Sequence, residues 1–236
     1  MSRDSFSYYD VISAISLEQS TYLLPHEDIP TQAPQVDLFM YYTGPILHQL
    51  SEISSLVDLL KRTVDLKAPS IHTPPIILDR AKQIMHILQV PIDAFCSSST
   101  HLDYLLTAEA YRHASLVYLG KVLLNWYIPL NGTHIRSSAS ACLSTLSSVS
   151  ADAPVAVRHL YPLFTAACEC SEDDREFARG RLELLAGRGG GLPNVRRVLG
   201  LIERVWAQKD KLEGWKKVKL GCFEVMKGAG KVVLIS

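Results

Sequence analysis

The sequence predicts an all-α protein, a single multi-helix domain in the form of an antiparallel bundle or array, and three observations carry that expectation. Apolar residues recur at i, i+3, i+4 and i+7 almost throughout the 236 residues. Prolines and glycines cluster between these periodic stretches, where they act as breaks. Strand-like character is confined to the closing Lys231-Val232-Val233-Leu234-Ile235, a short strand or an extended tail.

Taken in order, residues 5–24 set Tyr8, Ile12, Ile15 and Leu23 on one side of a helix, and Pro25, Pro30 and Pro34 make the following stretch a linker. Residues 1–36 are thus expected as an N-terminal helix and linker, and 37–236 as the helical domain. From Asp37 a helix begins, is interrupted at Gly44-Pro45, and resumes with Ile46, Leu47, Leu50, Ile53, Leu56, Val57 and Leu60 as a core-facing stripe. Ala68 to Pro75 reads as a turn, because each proline disfavours helix at the residue before it. A helix from Ile76 to about Val90 ends ahead of Pro91, and the longest runs from about Thr100 to Trp126. Others are expected near 133–150 and near 154–170, the latter kinked at Pro162. Ser171-Glu172-Asp173-Asp174 opens another, an N-cap followed by acids at the positive end of the helix dipole, which ends before the glycines of 187–191. A last pair covers about 193–211 and 214–226.

Hydrophobic residues make up 47 % and charged residues 20 %, enough for a substantial core and too apolar for a disordered tail. The formal net charge of zero argues against steering of the whole chain toward nucleic acid or an anionic membrane. The charge is uneven, with 14 Lys+Arg against 6 Asp+Glu from Arg175 onward. This basic quarter reads first as the solvated face of amphipathic helices. The first ten residues are polar and lack a secretory core, so nucleus or cytoplasm is expected. Leu116 to Leu130 is too short and too interrupted, by Lys121 and Asn125, to span a bilayer. Five cysteines without a CxxC pair suit reduced thiols and make no zinc site. HExxH, GxSxG and phosphate-loop patterns are all missing, so no metal and no cofactor is expected.

The 100–126 helix carries the chemistry-bearing residues. Tyr104, Tyr111 and Tyr118 fall seven apart, with Ala108 and Ser115 as small gaps between them. Such a stripe, with Trp126 beyond it, is either the wall of a pocket for an apolar ligand or a core face, and the core face is preferred. Glu109 and His113, four apart, are neighbours on one face. A carboxylate beside an imidazole can prepare a general acid or base, or be a structural pair, and here the structural pair is preferred. His101 and Asp103 form a second cluster of the same kind at the helix start.

Two stretches are specific: Ala108-Glu109-Ala110-Tyr111-Arg112-His113-Ala114-Ser115-Leu116-Val117-Tyr118-Leu119, and Leu160-Tyr161-Pro162-Leu163-Phe164-Thr165-Ala166-Ala167-Cys168-Glu169. Asp173-Asp174-Arg175, Asn194-Val195-Arg196-Arg197 and Val205-Trp206 follow, and then Gly214-Trp215. Together they resemble the fungal-specific transcription factor domain over about Asp37 to Ser236, without the six-cysteine zinc cluster that reads DNA in that family. The resemblance implies a helical regulatory domain that binds a small apolar metabolite or a protein partner, does not bind nucleic acid directly, and is open to homodimer formation. It would act on transcription through a partner or as part of a longer protein. The alternative is a cofactor-independent enzyme or carrier reusing this fold on a hydrophobic secondary-metabolite intermediate, with Glu109 and His113 moving the proton.

Overall fold

The computed structural model describes residues 37–65, 75–92, 99–126, 133–187, 193–212 and 220–221. Seven α-helices and one 3₁₀ turn account for most of them, with no strand among the described residues. The helices are α1 (Leu38–Asp65), α2 (Pro75–Gln89), α3 (Ser99–Asn125), α4 (Thr133–Ser147), α5 (Leu160–Ala167), α6 (Glu172–Gly187) and α7 (Pro193–Lys209). The 3₁₀ turn, Pro154–Arg158, precedes α5. The helix expected at 5–24, the turn at 68–74, the helix at 214–226 and the closing apolar run lie outside the described residues.

Helix α3 is the central column. It packs against α1, α2, α4, α5 and the 3₁₀ turn, and it buries Ala108, Ala110, Tyr111, Ala114, Ser115, Leu119 and Leu123 completely. Its sides are apolar nearly all round, as a helix must be when neighbours cover it on several faces. Helix α1 brings Leu47, Leu50, Ile53 and Leu56 to it, all fully buried, each leucine or isoleucine contributing about 2 kcal/mol by leaving water. Helix α4 approaches most closely. A Cβ at Gly120 would stand 2.7 Å from Ile135 Cγ1, so glycine there lets the two backbones close up. The α6–α7 hairpin covers α5, and α6 also reaches α4.

Two expectations about proline are corrected. The helix from Asp37 is not interrupted at Gly44-Pro45: α1 runs unbroken through Pro45. The clash that a proline imposes on the preceding residue involves that residue's Cβ, which Gly44 lacks, and Pro45 faces solvent, where a carbonyl without its helical donor can bind water. Nor is there one kinked helix over 154–170. The 3₁₀ turn and α5 meet at His159, and Pro162 falls in the first turn of α5, where backbone N–H groups have no intrahelical partner to lose.

Polar side chains stand at two helix starts. Asp37 Oδ1 accepts the N–H groups of Phe39 (3.0 Å) and Met40 (3.4 Å), capping α1. Glu172, Asp173 and Asp174 occupy the first turn of α6, with Ser171 Oγ donating to Asp174 Oδ2 at 2.9 Å.

Candidate functional site

The tyrosine stripe on α3 lies in the core. Tyr111, fully buried, packs edge-on to Phe39 of α1 (5.6 Å between centroids) and tilted against Tyr161 of α5 (5.5 Å), and its hydroxyl donates to Arg158 O at 2.7 Å. Tyr118 is buried one heptad further on, and Tyr104 and Trp126 are partly buried against the same core. Asp103 is partly buried and offers its backbone carbonyl to Thr107 Oγ1 (2.7 Å). His101 sits in the first turn of α3, and its side chain is outside the described residues.

Glu109 and His113 come together, and the residue that sequence reasoning passed over, Arg112, stands between them. The Arg112 guanidinium makes two bonds to the Glu109 carboxylate and a third to Leu88 O at the end of α2. Glu109 Oε2 also accepts the N–H of Ile92 at 3.3 Å. Together they fasten the exit of α2 to α3. Arg112 Nη2 donates to His113 Nε2 at 3.1 Å, which makes Nε2 an acceptor and puts the imidazole proton on Nδ1. Glu109 Oε1 and His113 Nε2, 3.5 Å apart, therefore face each other as two acceptors. Burial, then the Arg112 charge, hold His113 below the ordinary imidazole value of 6.5 despite the nearby carboxylate. Burial would raise Glu109, but the Arg112 bonds and charge outweigh it and hold the carboxyl below 4.5.

This arrangement has a pH signature. Both folded-state values lie below the unfolded ones, so the unfolded chain binds more protons across each window and stability falls on acidification. The His113 contribution is complete above the unfolded value near 6.5 and is lost as pH falls from there toward the folded value; Glu109 adds a loss of the same sign below 4.5. Urea midpoints taken from about pH 7.5 to about pH 5 should drop for the wild type, and His113→Gln should flatten the curve, since of this pair it is the imidazole that titrates in that range. An unchanged slope would mean that His113 titrates alike in both states.

Two further polar layers cross the core, and neither shows in any local pattern. His159, between the 3₁₀ turn and α5, is fully buried; its Nε2 lies 3.0 Å from Thr107 Oγ1 and its Nδ1 3.5 Å from Arg181 Nη2 of α6. A guanidinium only donates, so Nδ1 accepts and Nε2–H donates to Thr107. Arg181 also donates to Val149 O at 2.7 Å, closing off the end of α4. The second layer is Glu169, whose carboxylate is shared by Lys121 of α3 (3.3 Å) and Lys209 of α7 (2.7 Å), all three buried. Lys209 donates to Cys168 O and Lys121 to Leu220 O as well.

At the surface a shallow, solvent-open groove of about 550 Å³ runs between α6 and α7. Trp206 forms its floor, with Nε1–H donating to Ala167 O at 2.8 Å. The Arg175 and Arg179 guanidiniums each lie 5.4 Å from the Trp206 ring centroid. Arg175 is forked onto Asp210 (2.7 and 2.8 Å), and Arg179 reaches Glu203 at 3.3 Å. Among the described residues no three His, Cys, Asp or Glu side chains converge as metal ligands, and no helix is long and apolar enough to cross a membrane. Burial pushes the Cys142 thiol far up and, with Asp174 nearby, the Cys170 thiol to about 12, so both stay protonated and unreactive.

The profile of the family described as fungal specific transcription factor domain matches residues 3–232. The chain belongs to that family. No curated protein and no solved structure matches the chain. A fungal specific transcription factor domain carries a role in transcription regulation, which places its action in the nucleus, and these 236 residues hold no six-cysteine zinc-cluster motif. Several of the stretches that resemble the family lie in the interior of this fold: Ala108–Leu119 is the middle of α3, Leu160–Glu169 is α5 with its C-cap, and Val205-Trp206 faces inward from α7, whereas Asp173 at the start of α6 and Arg196 and Arg197 of α7 are exposed.

Proposed function

We propose that this chain is a regulatory module of transcription that works by docking protein, with the α6–α7 groove as its contact site. The observation that carries this is the composition of the groove: a tryptophan floor, guanidiniums laid against it and acids of both helices at the rim. Guanidiniums backed by a buried tryptophan and set inside a charged rim suit a protein segment, which supplies opposite charges and groups that stack on arginine. A small apolar metabolite needs an enclosed, mostly apolar cavity, whereas two of the three tyrosines nominated for that role are spent on packing. The enzymatic alternative needs a proton to pass between Glu109 and His113; in this reading Arg112 holds the carboxylate in a clamp on α2, and the pair is structural.

The test fuses the chain to an unrelated DNA-binding domain and reads a reporter promoter. The fusion should shift reporter output relative to the DNA-binding domain alone. The inverted pair Arg179→Glu with Glu203→Lys keeps a salt bridge but reverses one of the groove's two ion pairs and takes one guanidinium off Trp206, and it should return output to that baseline while circular dichroism shows the chain still folded. A silent fusion, or a shift that survives the inversion, would sink the docking reading. Native mass spectrometry covers the metabolite alternative: an apolar molecule leaving with the purified chain would displace the protein-docking site in favour of a ligand site.

A further inference from the structure

The outward face of α1 and α2 is apolar where a protein surface is ordinarily polar. Among the described residues eight large hydrophobic side chains are exposed, and five belong to this pair: Tyr41 and Leu59 of α1, Ile76 and Ile87 of α2, and Val90 just past its end. Ile76 is 72 % exposed. Arg80 of α2 donates through Nε to Glu52 Oε2 of α1 at 3.1 Å, an ion pair that lies on the same outward side. Tyr41, Pro45 and Leu59 stand 11, 7 and 7 residues from Glu52, and Ile76, Ile87 and Val90 stand 4, 7 and 10 from Arg80, all spacings that return to one helix face. The two helices run antiparallel, since Phe39 at the start of α1 meets Tyr111, while Leu88 and Ile92 at the exit of α2 bond to Arg112 and Glu109 within a turn of it. Pro45 thus stands level with Ile87, and Tyr41 with Val90. Ile76 and Leu59 mark the other end, with roughly 27 Å from Tyr41 to Leu59.

We infer that this face is the docking site of the chain's own residues 5–24, laid as a helix antiparallel to α1. The described residues begin at Asp37, which caps α1 and so lies at the Tyr41 end of the face. Residues 5–24 carry Tyr8, Ile12, Ile15 and Leu23 at helical spacing, and a helix of that length measures about 30 Å, the length of the face. Residues 25–36, with Pro25, Pro30 and Pro34, reach at most roughly 40 Å, so the segment stays tethered beside α1 and can fold back along it. Tethering gives it an effective concentration in the millimolar range, which favours it over a second copy or a free partner for this face. The family profile match begins at residue 3, so the segment belongs to the same domain as the helices it would cover. An isolated helix of this length is marginal in water, and packing on an apolar face is what would hold it. α1 and α2 take no part in the α6–α7 groove, so this inference stands apart from the docking reading above.

The experiment is hydrogen–deuterium exchange of the full chain, read peptide by peptide in a mass spectrometer. Amides of 5–24 should be protected in the wild type, and equally so at two protein concentrations about tenfold apart. Ile87→Asp/Val90→Asp puts charge on the face, and Ile12→Asp/Ile15→Asp puts it on the segment. Each should speed exchange across 5–24 at least about tenfold while α3 and α5 stay protected. Ile87 and Val90 are at least half exposed, so their replacement leaves the core intact. Leu184→Asp, at an exposed apolar residue of α6, should leave 5–24 as protected as before. Unprotected amides over 5–24 in the wild type, protection that survives either double substitution, or an equal loss in Leu184→Asp overturns the inference. Protection that grows with protein concentration also overturns it and assigns the face to a second copy. If α3 loses protection in one double variant, the other decides.

Discussion

Replacing Glu169 by glutamine should destabilise the chain by roughly 3–5 kcal/mol, among the largest losses any isosteric change can cause here. Glu169 is the one carboxylate between two buried ammonium groups, Lys121 and Lys209. The amide keeps the shape and can still accept a hydrogen bond, but the two cations, from α3 and α7, then share a low-dielectric space without the carboxylate charge between them. The backbone carbonyls of Cys168 and Leu220 already offset part of the surplus positive charge in the wild type. Lys121→Met should therefore cost little by itself, and the double variant Glu169→Gln/Lys121→Met should recover a large part of the loss, because one cation resting on Cys168 O remains. Urea denaturation of the four chains makes a double-mutant cycle; additive losses would mean that the two groups do not interact.

Tyr111→Ala should cost about 4 kcal/mol, and Tyr111→Phe about 1 kcal/mol. The first change empties a fully buried site where α1, α3 and α5 meet, and it removes both ring contacts, to Phe39 and to Tyr161. The second keeps the ring and removes the bond from the hydroxyl to Arg158 O, at the end of the 3₁₀ turn. Thermal or urea unfolding checks both. A loss below about 1 kcal/mol for the alanine variant would mean that the space is not close-packed and that the stripe walls a cavity, as the ligand-pocket expectation has it.

How much of the candidate site was legible depends on how far its partners stand apart in sequence. Glu109 and His113 share a helix face at i, i+4, so their meeting could be read directly, but Arg112 gains its role by reaching Leu88, which belongs to another helix. The useful signal was within the Tyr-Arg-His run itself: an arginine three residues after a glutamate on an otherwise apolar helix calls for a partner. His159, Thr107 and Arg181 come from three separate elements, as do Lys121, Glu169 and Lys209, and no periodicity connects them. Trp206 stood out in sequence, whereas the pairing of Arg175 with Asp210 depends on how α6 and α7 lie against each other.

By itself the sequence determined the fold class, the family and most helix positions. α2, α3, α4, α6 and α7 begin and end within a few residues of expectation, because helical period, capping residues and prolines act within one or two turns of chain. It did not decide what Pro45 and Pro162 would do. A proline's effect depends on its place relative to the helix start and on what surrounds the freed carbonyl, and both follow from packing. Nor did it decide whether the tyrosines of α3 wall a pocket or fill a core, since a stripe with that spacing serves either use. Only the approach of α1 and α5 from two sides closed the space around Tyr111.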